Sequence, residues 1–173
     1  GNGGAVEADE TFIGREPGTK VGRAFHHKMK VLSLVDRETG RARSIVVDDL
    51  KRDTIEKFVG ENVAREARLM TDEAWFYGRI GKEFADHQSV AHQKKEYVRG
   101  EAHTNTIEGY FSIFKRGMKG VYQHCGKRHL HRYVAEFEFR YNNRSALGVD
   151  DSQRAKTVLS SAAGKRLKYK LSD

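Results

Sequence analysis

Polar and apolar residues alternate from Val6 to Ile13, the period-two pattern of a β-strand. The alternation sets Glu7, Asp9 and Thr11 on one face and Val6, Ala8, Glu10 and Phe12 on the other. Gly14 to Gly22 reads as a loop and holds the only proline, Pro17. Lys28 to Val35 is apolar and β-branched. After the turn Asp36-Arg-Glu-Thr-Gly40 a second run, Ala42 to Val47, completes a predicted β-hairpin. Asp53-Thr-Ile-Glu56 has the form of a capping box, opening a helix with Ile55, Phe58, Val59 and Val63 on its buried side. Ala67 to Thr71 predicts a short strand that delivers Asp72 at its C-terminal end. Ala74 to Phe84 predicts a short helix, Ser89 to His92 a last short strand, and Gln93 to Ala102 a polar loop. Two helices follow. Thr106 to Met118 carries Ile107, Phe111, Phe114 and Met118 on one face, and Lys127 to Asn143 turns Leu130, Tyr133, Val134, Phe137 and Tyr141 inward. These aromatic stripes read as core rather than as platforms for bases.

Strand, hairpin, helix, strand, helix, strand, helix, helix is the order of an α/β fold, a mixed sheet with helices on both faces. Gly1 to Gly4 reads as a flexible leader or cloning scar, residues 5–147 as the folded domain, and residues 148–173 as a basic C-terminal tail, partly disordered over Lys165 to Lys170.

At 173 residues and 38% hydrophobic content, one domain with a real core is expected. Lys and Arg number 32 against 24 acids, a net charge of +8, which fits either a polyanionic partner or a merely soluble basic surface. The single cysteine, Cys125, excludes an internal disulfide and any cysteine-built zinc cluster, and reads as an intracellular thiol. The eight histidines lack a zinc-ligand spacing. No apolar run reaches the roughly 18 residues of a membrane span.

Against this background three acids stand out. Asp9 lies mid-strand, where Asp is disfavoured and a buried unpaired carboxylate is costly. Asp72 ends a strand, where α/β sheets place their chemistry. Glu108 opens a helix. Carboxylates converging from such elements can hold two divalent cations about 3.5–4 Å apart and drive phosphodiester chemistry. Lys115 lies seven residues, two helical turns, beyond Glu108 and shares its face. Each residue has a structural alternative. Glu108 fits the third position of a capping box with Asn105, Asn105 fits a helix cap, Asp72 can cap the helix after it, and Lys115 can be an ordinary surface lysine. Glu10 and Glu73 read as solvated or ion-paired. His103 can meet a substrate phosphate or orient Asn105. Arg116, Lys119, Lys127 and Arg128 cluster around Gly117 and Gly120 as a candidate contact region for a DNA backbone.

Three strings carry a family resemblance: Val6-Glu-Ala-Asp-Glu-Thr-Phe-Ile-Gly14, His103-Thr-Asn-Thr-Ile-Glu-Gly-Tyr-Phe-Ser-Ile-Phe-Lys-Arg-Gly117 and His129-Leu-His-Arg-Tyr-Val-Ala-Glu-Phe-Glu-Phe-Arg-Tyr-Asn-Asn-Arg144. Over about residues 5 to 145 the chain resembles the catalytic domain of bacterial insertion-sequence transposases of the DDE superfamily, in particular the insertion-sequence 1595 group. The resemblance implies an RNase H-like fold and a magnesium-dependent acid triad, two Mg²⁺ ions with Mn²⁺ as substitute, carried by Asp9, Asp72 and Glu108 with Lys115 as the associated lysine. Some members are described with asparagine in the third position, which keeps Asn105 as an alternative ligand. The implied activity is DNA cleavage at element ends and transfer of the freed 3′-hydroxyl into target DNA. An RNase H-like nuclease without strand joining and an inactive DNA-binding remnant are the alternatives. The implied partners are transposon-end and target DNA, with a possible homo-oligomer, in the bacterial cytoplasm at the nucleoid. The family also implies an N-terminal zinc- and DNA-binding segment that these residues do not include, so the expectation is either a trimmed catalytic core or a truncated copy.

Overall fold

A computed structural model describes residues 4–22, 25–72, 80–90 and 103–165. The chain divides into two units, Gly1–Asn142 and Asn143–Asp173. In the first, the elements in chain order are β1 (Ala5–Ile13), β2 (Met29–Asp36), β3 (Ala42–Val47), α1 (Arg52–Asn62), β4 (Arg68–Asp72), β5 (Asp86–Val90), α2 (Asn105–Gly117) and α3 (Lys127–Asn142). The strands form one sheet of order β3-β2-β1-β4-β5. The hairpin strands run antiparallel to their neighbours, while β4 and β5 run parallel to β1. The central strand is therefore the one that carries Asp9.

Alternation divides the core between the two faces of the sheet, as the pleat requires. Val6, Ala8, Leu32, Leu34, Val47 and Leu69 pack with Ile55, Phe58 and Val59 of α1. On the opposite face Ile13, Met29 and Val31 meet Phe114 of α2 and Leu130 and Val134 of α3, and Val35 and Ala42 meet Ile107, Tyr110 and Phe111. A polar chain crosses this second face, from the Ser33 hydroxyl to that of Ser44 (2.8 Å) and on to Tyr110 Oη (2.9 Å). The edge strand β3 would expose unpaired backbone groups, and α3 satisfies several of them. Glu138 accepts from the Ser44 amide (2.7 Å), and the Asn142 side chain accepts from Ala42 N (2.7 Å) and donates to Ala42 O (2.8 Å).

Several local expectations change. The capping box at Asp53 does not form: α1 starts at Arg52 after Lys51 and has no side-chain cap. Asp49 organises its entry instead, accepting from Lys51 N (3.1 Å) and Thr54 Oγ1 (2.9 Å). The Gly4 carbonyl accepts from Arg68 N (2.9 Å), so the leader reading fails at Gly4. The expected helix over 74–84 falls largely on residues 73–79, outside the described residues; the described part holds a single 3₁₀ turn, Gly81–Glu83. β5 starts three residues before the expected strand at Ser89, whose residues 91 and 92 are not described, nor is the loop 93–102. After α2 the chain continues through a π-helical turn, Met118–Tyr122, to Gln123 at φ 46°. The second unit contains a 3₁₀ turn (Ser145–Leu147) and, within the expected tail 148–173, a helix α4 (Asp151–Ala162). Asp150 and Gln153 close a true capping box there, but α4 has no buried residue, so no apolar stripe announced it. Among the described residues no helix is long and apolar enough to cross a membrane.

α2 approaches α3 closely at Gly117. A Cβ there would lie 2.0 Å from Phe137 Cζ, in a ring already packed edge-on against Phe114 at 5.2 Å. Gly117→Ala is expected to destabilise the fold by about 1–3 kcal/mol despite alanine's better helix propensity, as read from the urea midpoint. An unchanged or raised midpoint would contradict that packing.

Candidate active site

Parallel pairing brings the first two acids together. β1 and β4 run in register with Ala8 opposite Thr71, so the next step along both strands sets Asp9 beside Asp72 on one face. The end of β4 is held by Thr71, whose hydroxyl donates to the Asp72 carbonyl (2.9 Å) and meets His87 Nε2 (2.9 Å). One carboxylate oxygen each from Asp9, Glu10 and Asp72 lies within 4.8 Å of the others. Glu10, read from sequence as solvated or ion-paired, thus belongs to the cluster. Alternation alone concealed it, because a period-two pattern assigns it to the opposite face. Glu108 stands outside this 4.8 Å cluster, exposed on the first turn of α2, yet close enough for its charge to act on Asp9. Thr104 Oγ1 donates to Glu108 Oε1 (3.2 Å).

Burial, reinforced by the charges of Glu10, Asp72 and Glu108, pushes the Asp9 carboxyl up to about 8, against a single lowering contact from Glu10 N–H (2.7 Å). An all-oxygen cluster of mutually repelling carboxylates is the environment that a hard divalent cation reverses, so these residues fit Mg²⁺ or Mn²⁺.

The most consequential side chain here is Glu7, which sequence reading placed on the Asp9 face and gave no role. It is fully buried. Its Oε1 accepts from Arg37 Nε (2.6 Å) and lies 3.3 Å from His103 Nδ1, and its Oε2 accepts from the backbone N–H of Ile107 (2.8 Å). Arg37 also donates through Nη2 to the His103 carbonyl and through its backbone N–H to Ala5 O (2.9 Å). Ile107 is the third residue of α2, the position whose N–H a local cap normally satisfies. Here a strand residue 100 positions away does so. The capping box expected from Asn105 and Glu108 is accordingly absent. Thr104 is the cap position and makes no capping bond, Asn105 is already helical and exposed, and Glu108 lies one place beyond the box position. A pair such as Glu7 and Arg37 is not signalled by spacing; only the buried position of an acid in an apolar strand hinted at it.

Lys115, Arg116, Lys119 and Arg128 are exposed, as a DNA-facing surface needs. His103 is half-buried against Glu7. Lys127 is different: its ammonium is held between Glu16 and Asp48 (2.7 Å to the latter), which ties the loop after β1 to α3. Its charge is thus compensated within the fold, unlike that of the exposed lysines and arginines named above.

Residues 2–142 match the ISXO2-like transposase domain. The chain belongs to that family. This is the insertion-sequence 1595 type of DDE transposase domain. The domain is similar to a protein of Halobacterium salinarum described as an uncharacterized protein in transposable element ISH50, 26% identical over 175 residues, 92% of this chain and 58% of that protein. The chain therefore spans a little over half the length of that relative. Its fold resembles the catalytic core domain of BIV integrase (TM-score 0.58, 12% identity, 93% of this chain and 96% of that one). It also resembles the HTLV-2 integrase catalytic core domain in complex with magnesium, in dimeric form (TM-score 0.52, 13% identity, 80% and 86%). The transposase domain is thus RNase H-like, as the motif strings implied.

Two outcomes follow from the site of this transposase domain. Glu7→Ala leaves the Arg37 guanidinium and the Ile107 amide without their acceptor, and we expect a loss of about 3–5 kcal/mol by urea denaturation; a loss below about 1 kcal/mol would show that the ion pair is not what holds α2. For Asp9, the native state keeps a proton between its ordinary value of 3.8 and about 8 that the unfolded chain has released. In EDTA, stability should fall as pH rises through that window, by at most about 1.4 kcal/mol per pH unit from this group. Asp9→Asn should remove the slope and raise the melting temperature at pH 8. Mn²⁺ should stabilise the wild type more strongly as pH rises, since cation and proton compete for one carboxylate. A pH-independent Mn²⁺ effect would contradict the assignment.

Proposed function

We propose that this domain is the catalytic core of a transposase that cleaves DNA at element ends and transfers the freed 3′-hydroxyl into target DNA. The observation that carries the reading is the carboxylate cluster where the end of β4 meets the middle of β1, with Glu108 acting on it from α2, inside a transposase-family fold. Asp9 and Asp72 would hold divalent cations, Mg²⁺ or Mn²⁺, with Glu108 or Glu10 as the third carboxylate and Asn105 as the alternative that the family resemblance leaves open. When bound, such ions supply Lewis-acid stabilisation of the phosphate and a nucleophilic water at neutral pH. The chain's own part is position. The sheet fixes Asp9 against Asp72, and Glu7 fixes the start of α2, and with it Glu108, against the same strand. Lys115, two turns along, faces the same way as Glu108 and would hold a phosphate of the bound strand. Arg116, Lys119 and Arg128 extend the basic surface for backbone contacts that set register rather than sequence.

The test is cleavage and joining of labelled element-end DNA in Mn²⁺. Asp9→Asn and Asp72→Asn should each lower cleavage by about 10³-fold or more, while salt-dependent DNA binding persists. Glu108→Gln should fall by about 10²-fold or more and Glu10→Gln by much less. The reverse order would move the third ligand to Glu10, and full loss in Asn105→Ala with Glu108→Gln active would move it to Asn105. Hydrolysed products without joined ones would favour the nuclease reading, and cleavage retained in Asp9→Asn would overturn the proposal.

A further inference from the structure

A cavity of about 350 Å³ opens beyond the carboxylate cluster, at the end of β1. Its floor is apolar. Phe12 contributes a ring, stacked on Phe25 at 4.6 Å, and Met29 and Met118, both nearly fully buried, contribute thioethers. Its rim is cationic: Lys28, Lys115 and Lys119 all line it. Lys115 and Lys119 are exposed, and among the described residues no acid pairs with either. One wall is the π-helical turn Met118–Tyr122 and the residue that ends it, Gln123, the one non-glycine residue with positive φ among the described residues. A π-turn and a backbone in a sparsely populated conformation cost energy, and such features cluster where a surface is shaped for a ligand.

We propose that this cavity receives one unpaired nucleotide of the substrate DNA, its base against Phe12 and the two methionines and its phosphate at Lys115 and Lys119. The inference rests on the reading of the carboxylate cluster as a DNA-processing centre and adds a binding subsite to it. A concave apolar floor with a lysine rim matches the two chemistries of a nucleotide, a flat π-face and an anion. The volume is in the range of small-molecule sites. Within a duplex both faces of a base are stacked, so only an extruded or single-stranded nucleotide can enter. The position fits as well. Phe12 is three residues past Asp9, about 10 Å at the rise of a strand. That is a reach of about three nucleotides at the duplex rise of about 3.4 Å, and of fewer for an unstacked strand, so the occupant lies within a few nucleotides of the phosphate being cut.

The chain's single cysteine, Cys125, lines this cavity and reports on its occupancy. The experiment measures the rate of Cys125 alkylation by N-ethylmaleimide, in EDTA, with saturation by each DNA established independently by fluorescence anisotropy. The probes are a blunt duplex, the same duplex with a short single-stranded thymidine tail, and inorganic phosphate. The tailed duplex should slow alkylation about tenfold at saturation, and the blunt duplex and phosphate by less than about twofold. In Lys119→Ala, an exposed position with little bearing on folding, the tail's protection should need several-fold more DNA. Equal protection by the blunt duplex would mean that DNA covers the face without a nucleotide entering, and equal protection by phosphate would mean an anion site alone. No protection by any bound DNA would mean that the cavity is not used. Each of these overturns the proposal. Because no catalysis is read, tail-specific protection in a domain that cleaves nothing would keep the nucleotide site and reject the reaction.

Discussion

A carboxylate with no access to water has to find hydrogen-bond donors or lose its charge, and Glu7 finds the Arg37 guanidinium and the Ile107 amide, with the His103 ring 3.3 Å away. This constraint sets the geometry of everything around it. Arg37 follows β2, Ile107 lies in the first turn of α2, and Glu7 itself sits on the central strand. A helix that would otherwise begin with unmet amides starts where the strand's acid meets one of them. The helix N-terminus and its partial positive charge are thereby docked onto the sheet at a fixed height.

That docking explains how the domain tolerates an energetically poor cluster next to it. Asp9, Glu10 and Asp72 repel one another, and burial makes the repulsion stronger. Left to side-chain packing alone, such a cluster would splay. The β1–β4 ladder holds Asp9 and Asp72 from the backbone, and the Glu7–Arg37 pair holds α2 from beside it, so the crowding persists as a standing demand for positive charge. A stable scaffold and a strained site are two residues apart on one strand.

Much of the frame was legible in the chain. The hairpin, the helix over Lys127–Asn142 and the strand ending at Asp72 announced themselves through periodicity, because their buried faces are mostly apolar. Asp9 could be singled out because an acid in mid-strand has no comfortable structural account, and Asp72 because it ends a neighbouring strand. The misses have a common cause. Glu7 acts through a contact 100 residues long, Glu10 joins the cluster from the wrong side of the alternation, and the start of α2 is set by a strand rather than by its own sequence. Sequence pattern reports local preference and burial; it does not report which distant charge a buried charge meets. At α4 the reverse held: the local capping signal at Asp150 was present but no apolar face drew attention to it.

Glu7 and Asp9 occupy alternate positions on the same strand, and this couples the integrity of the fold to that of the site in an unusual way. Loss of Ala8, the one residue between them, would make the two carboxylates neighbours in the chain and so set them on opposite faces of the sheet. Either α2 would lose its anchor or the cluster would lose its central acid. The spacing of two residues is therefore as much a part of the centre as the acids themselves.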